Sequence, residues 1–91
     1  MEQLKTIKEL INQGDVAEAI RQLDEYLITD STDRDEAFYL LGNAYRKQGN
    51  WQLALNNYQY AIDLNPDSPA REAYRMAMDI LNFFIKDMYN Q

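Results

Sequence analysis

Catalysis and metal binding need side chains that hold, donate or share charge, and this sequence offers few of the useful kinds. It contains no histidine and no cysteine. The commonest general base, the commonest metal ligand and the thiolate are therefore all missing. Carboxylates remain. Asp24 with Glu25, and Asp33 with Asp35 and Glu36, are clusters of a type that holds hard cations. Both fall near helix starts or on an exposed helix face, where carboxylates serve the helix dipole instead. The stretch "DSTDRDE" (30–36) also lacks the spaced ligands and central glycine of a calcium loop. The only serines, Ser31 and Ser68, sit at cap positions with no histidine to activate them. Gly14, Gly42 and Gly49 are scattered over separate segments and form no phosphate-cradling loop. No catalytic residue, metal or cofactor is expected, and the chain is not expected to be an enzyme.

Contact chemistry is what is left. Recognition of another surface is what a chain of this composition can still do.

The totals narrow the partner. The chain has 91 residues, 46% hydrophobic and 26% charged, the balance of one small globular domain. Nine basic residues stand against fifteen acidic ones, a net charge of −6. Phosphate backbones repel such a surface, so nucleic acid is not expected as a ligand. A protein or peptide partner, basic if charge matters, fits better. The first residues alternate charged with apolar types and carry no signal-peptide core, and no run reaches the roughly 18 apolar residues of a membrane span. A cytoplasmic setting without membrane contact is the expectation.

The elements that must position these residues are all helical. Leu4, Ile7 and Ile11 mark a first helix up to about Asn12. Gly14 ends it, and Asp15 with Glu18 offers a capping box for a second. That second helix has an apolar face of Val16, Ala19, Ile20, Leu23, Tyr26 and Leu27. A polar connection, "TDSTDRDE" (29–36), offers Ser31, Thr32, Asp33 and Asp35 as caps for a third helix, which carries Phe38, Leu41 and Tyr45 and stops at Gly49. Asn50 caps a fourth, "WQLALNNYQYAIDL", which Pro66 halts. Ser68 then caps a fifth from about 69 to 89, with Pro69 in its first turn. No segment shows the alternation of a strand, so the fold class is all-α.

The sequence also repeats. "QGDVAEAIRQL" (13–23) superimposes on "QGNWQLALNNY" (48–58) at a shift of 35, matching Gly14 to Gly49, Asp15 to Asn50, Ala19 to Ala54 and Leu23 to Tyr58. Such a period in a helical chain signals stacked hairpins. Residues 38–66 go further, with Phe38, Leu41, Gly42 and Tyr45 followed by Ala54, Tyr58, Ala61 and Pro66. This pattern resembles the tetratricopeptide repeat. Residues 1–34 form a poorer copy in which Lys8 falls in the slot of Gly42. At a shift of 35, Ala73, Met76, Ala77 and Ile80 take the slots of Phe38, Leu41, Gly42 and Tyr45, and Phe84 stands where a turn glycine would. The resemblance implies a right-handed superhelix of two hairpins, about 1–34 and 35–68, with a capping helix at about 69–89, all in one domain.

What the resemblance implies functionally is binding of a protein or peptide in a concave groove lined by the first helix of each hairpin. Mapped onto this chain, the groove presents Lys5, Glu9, Asn12, Glu36, Tyr39, Asn43, Arg46 and Lys47. Within that implied face, Tyr39, Asn43 and Arg46 at i, i+4 and i+7 form the most binding-like trio, since tyrosine and arginine are favoured at contact hot spots. Some family members clamp the C-terminal carboxylate of heat-shock chaperones. Here Glu9 replaces a needed asparagine, Leu40 fills a polar slot and a third complete hairpin is missing, so no such clamp is expected.

The end of the chain, "DILNFFIKDMYNQ" (79–91), carries more apolar residues than one helix stripe uses. A helix over 69–89 is about 31 Å long against about 22 Å for the third helix. The overhang holds Phe84, Ile85, Met88 and Tyr89. Phe83, Phe84, Ile85, Met88 and Tyr89 therefore form a candidate patch that folds back over the groove, docks on a partner or pairs with a second copy, and closed two-fold assemblies are the commonest oligomers. The expected role is a non-enzymatic adaptor or scaffold that uses the groove and this apolar helix. A self-assembling structural unit with no separate ligand is the alternative.

Overall fold

The computed structural model describes residues 2–30 and 32–89, and beyond residue 83 the backbone alone. The described residues form five helices and no strand: α1 (Glu2–Gln13), α2 (Val16–Thr29), α3 (Arg34–Lys47), α4 (Trp51–Leu64) and α5 (Ala70–Tyr89). Each packs on the next in chain order, and α1 also lies against α3. This is the all-α helical-repeat architecture that the sequence implied.

Both hairpins turn by the same device. Gly14 N–H donates to the Ile11 carbonyl and Asp15 N–H to that of Leu10; Gly49 donates to Arg46 and Asn50 to Tyr45. The paired bonds are those of a Schellman turn, which needs a left-handed residue just past the helix end. Gly14 and Gly49 supply it, at φ 96° and 77°. Asn50 then caps α4, its side chain accepting from Leu53 N–H at 3.2 Å.

Two expected caps are not made. Asp15 makes no side-chain cap bond at the start of α2, where its backbone sits at φ −81° and ψ 58°. Glu18 is taken instead by Arg21 and Gln22 on the same helix. At α3 the cap position is Asp33, left-handed at φ 50° and likewise without a side-chain bond. The loop is held by other means. Asp30 accepts from the N–H and hydroxyl of Thr32, and the Tyr26 hydroxyl donates to the Thr32 carbonyl at 2.8 Å. Ser31 lies outside the described residues. Ser68 behaves as expected, its buried Oγ accepting from Ala70 N–H at 3.0 Å.

The first core cluster joins Leu4, Ile7 and Ile11 of α1 to Ala19, Leu23 and Tyr26 of α2 and to Ala37, Leu40, Leu41 and Ala44 of α3. Leu40, the apolar residue in a polar slot, is thus a core residue. The second cluster joins Ala54, Tyr58 and Ala61 of α4 to Ala70 of α5. Phe38, Tyr39 and Tyr45 pack against both clusters and bind the two hairpins into one body.

The register of α5 differs from expectation. Met76 and Ile80, placed by a shift of 35 in the slots of Leu41 and Tyr45, are 47% and 37% exposed. The buried residues are Ala70 and Ala77, which repeat the seven-residue spacing of Ala37 and Ala44 at a shift of 33. Ala73 and Tyr74, packed on the second cluster, then fall in the places of Leu40 and Leu41. The slots that a shift of 35 assigns to Ala37, Leu40 and Ala44 hold Glu72, Arg75 and Asp79. These form an exposed ion-pair ladder, and burying three charges would cost far more than rotating the helix.

Candidate functional site

The candidate groove is built on α1 and α3, which pack side by side because Leu4, Ile7 and Ile11 share one buried face with Ala37, Leu40 and Ala44. The Lys47 ammonium ties the two helices by donating to the Ile11 carbonyl at 3.2 Å, where it satisfies the carboxyl end of α1. Lys47 is therefore partly committed to holding the groove together.

Asn43 is committed as well. Its Oδ1 accepts from the Tyr58 hydroxyl at 2.6 Å, across from α4. Tyr58 is fully buried, and its ring lies 6.2 Å from that of Tyr39. Burial pushes the Tyr58 phenol up to about 12, against an opposing pull from the Arg46 cation. The hydroxyl stays a neutral donor, and the Asn43 carbonyl oxygen is oriented by it. Of the binding-like trio, Tyr39 and Arg46 are half-buried on α3, and among the described residues no such bond holds them.

Lys5, Glu9, Asn12 and Glu36 are exposed. Two of them come together: Lys5 and Glu36 line an open cleft of about 350 Å³ with Glu2, Leu4 and Lys8. Two cations and two anions around it nearly cancel, so the cleft has no field that selects an ion of either sign. Among the described residues, no group of three or more carboxylates is placed to hold a metal.

The strongest carboxylate shift lies on α2, where Arg21 and Gln22 hold the Glu18 carboxyl down at about 2. The Arg75 guanidinium likewise holds Glu72 below the usual range on α5. The Glu18, Arg21, Glu72 and Arg75 side chains are all exposed and belong to ladders within one helix. Such shifts arise from helix-surface pairing and mark no reactive centre.

In the candidate partner patch, Phe83 is exposed. The side chains of Phe84, Ile85, Met88 and Tyr89 lie outside the described residues. The ridge begins earlier than the sequence suggested, since Met76 and Ile80 extend it towards the start of α5.

A second concave site escaped the sequence reading. Arg34 and Phe38 of α3 with Tyr60, Asp63 and Leu64 of α4 line a pocket of about 240 Å³. The Phe38 and Tyr60 rings sit 5.3 Å apart at 59°, and the Arg34 guanidinium lies 5.7 Å from the Phe38 centroid. Arg34 is steadied by donating to the Leu27 carbonyl at 2.7 Å. The signal available beforehand was Tyr60 and Leu64 on the polar side of α4, four residues apart.

Comparison with known proteins agrees with this geometry. The family model for the tetratricopeptide repeat matches residues 35–68. The photosystem I assembly protein Ycf3 of Synechococcus sp. (strain CC9902) is 41% identical over 61 residues, which is 65% of this chain and 35% of that protein. Its counterpart in Prochlorococcus marinus (strain MIT 9303) is 36% identical over the same length. The chain thus spans about a third of the length of these curated relatives. The solution NMR structure of the Bacteroides fragilis protein BF1650 superimposes with a TM-score of 0.89 at 68% identity, covering 100% of this chain and 92% of that one. With the repeat signature, its matched model and the stacked hairpins in hand, the chain belongs to the tetratricopeptide-repeat family.

Proposed function

We propose that this protein is a non-enzymatic protein-interaction module of the adaptor or scaffold type, whose groove on α1 and α3 receives a segment of another protein. The observation that supports this most is that Tyr39 and Arg46 lie half-buried on α3, while Asn43 and Lys47 beside them are already bonded internally. Tyrosine and arginine are the residue types favoured at contact hot spots. The resemblance to assembly proteins supports a role in bringing proteins together. The lack of cysteine suits a cytoplasmic setting. The net charge of −6 on the chain favours a segment with some basic character.

The test is a pull-down from the native host, quantified by mass spectrometry, with Tyr39→Ala combined with Arg46→Ala as control. Loss of a specific protein with unchanged circular dichroism supports the groove. Undiminished capture by that variant refutes it.

A second reading, self-assembly, is favoured by the exposed apolar ridge Met76, Ile80 and Phe83 on α5. Phe84→Glu with Met88→Glu separates the two. A folded variant that no longer self-associates supports assembly; one that only loses a captured protein supports the adaptor.

A further inference from the structure

The pocket between α3 and α4 shares no lining residue with the candidate groove and has the composition of a contact hot spot. Two aromatic rings and an arginine line it, and Tyr60 and Leu64 on its walls are 50% and 55% exposed. Its volume of about 240 Å³ is below the roughly 300–1,000 Å³ of small-molecule sites, and suits one inserted side chain. Its charges are one cation, Arg34, and one anion, Asp63, whose Oδ1 already accepts from Gln59. An occupant that matches it brings a large apolar side chain next to one residue of each sign.

The chain carries that combination itself. In "NFFIKDMYNQ" (82–91), Lys86 and Asp87 sit together between Phe84, Ile85, Met88 and Tyr89. A chain cannot fill its own pocket. Leu64 ends α4 beside the start of α5, and α5 then runs on for 20 residues to Tyr89, carrying its far end about 30 Å away. In an antiparallel pair of chains, the end of each α5 meets the pocket end of the other. Both contacts then form at once around a two-fold axis, which closes the assembly.

We propose that the Arg34–Phe38–Tyr60–Asp63–Leu64 pocket receives the C-terminal stretch of a second copy, with Lys86 opposite Asp63 and Asp87 opposite Arg34. The proposal rests on the self-assembly reading and leaves the groove free.

Sedimentation equilibrium of the full chain from micromolar to millimolar concentration tests it, with thermal melts confirming that each variant folds. Wild type dimerises. Asp63→Lys and Lys86→Asp each weaken the dimer by about tenfold, and the two combined regain most of the loss because the pair is restored in reverse. Tyr60→Glu removes dimerisation. A chain monomeric throughout overturns the proposal, as does a double variant no better than the single ones. A dimer indifferent to Tyr60→Glu uses another surface and also overturns it. If Leu64→Glu instead abolishes capture of a foreign protein by a monomeric chain, the occupant is that protein and the proposal fails. The Tyr39→Ala with Arg46→Ala control reports on the groove separately in every case.

Discussion

A Cβ placed on Gly42 falls inside the ring of Tyr58, overlapping its Cδ1 and Cε1 atoms. This single contact sets the approach of α3 to α4, because any side chain at 42 must push the ring out of the second core cluster. Glycine here serves space and not backbone freedom: it lies inside α3 with ordinary helical geometry. Gly42→Ala is expected to destabilise by about 1–3 kcal/mol, the usual cost of overpacking. Adding Tyr58→Leu is expected to recover part of that loss. Urea denaturation of the single and double variants reads the coupling, and strictly additive losses would show that the two residues do not compete for space.

Stability should fall in strong alkali, and Tyr58 should account for much of the fall. Its folded-state phenol is held up at about 12 by burial, whereas an unfolded tyrosine ionises near 10. The unfolded chain therefore releases its proton first. The stabilising contribution is whole below about pH 10 and is lost as pH climbs towards 12. A gap of two pKa units corresponds to about 2–3 kcal/mol. Tyr58→Phe should cost about 1 kcal/mol at neutral pH, through the lost bond to Asn43. It should also flatten the stability curve between pH 10 and 12 relative to wild type. Tyr45, also raised by burial, adds a slope of the same sign that both proteins share.

The two kinds of left-handed residue should respond in opposite ways. Gly49 has nothing within 4 Å of its would-be Cβ but a φ of 77°, so Gly49→Ala should cost about 1 kcal/mol through backbone strain alone. Asp33 adopts φ 50° with no capping bond to offset it. Asp33→Gly should be neutral or stabilising by up to about 1 kcal/mol. Chemical denaturation midpoints decide, and a substantial loss at Asp33→Gly would mean that its carboxylate acts in a way this geometry does not show.

Asn65, which closes α4 where the chain turns towards α5, donates from Nδ2 to an Asp35 carboxylate oxygen in the first turn of α3 at 3.0 Å. This charge-assisted bond spans the two hairpin ends. Asp35→Ala should loosen α5 more than the rest of the chain. Native-state hydrogen exchange should accelerate in α5 while the amides of α1 and α2 keep their protection. Uniform acceleration across all helices would show that the bond supports the whole fold and not that junction.

How much of this was legible beforehand varies by element. The glycines at 14 and 49, the Asn50 cap and the buried faces of α1 to α4 follow from local rules, since each depends on residues within one turn of chain. The α5 pattern held only in part: Ala73 and Ala77 are packed, whereas Met76 and Ile80 stay exposed beside the charged ladder Glu72, Arg75 and Asp79. Of the two similar cap positions, Asn50 makes its side-chain bond and Asp15 does not. Helical period alone puts the candidate groove residues on α1 and α3, but nothing local says that Asn43 is held by Tyr58 fifteen residues on.

The sequence by itself determined that this chain is an all-α repeat protein with no histidine or cysteine for chemistry, because composition and helical period are properties of the chain. Only the tertiary structure decided which polar groups remain available. Asn43 and Lys47 spend their bonds on Tyr58 and Ile11, whereas Tyr39 and Arg46 stay open. Arg34, Phe38, Tyr60 and Leu64 became one pocket only once α3 lay against α4, at a separation that Gly42 and Tyr58 set between them.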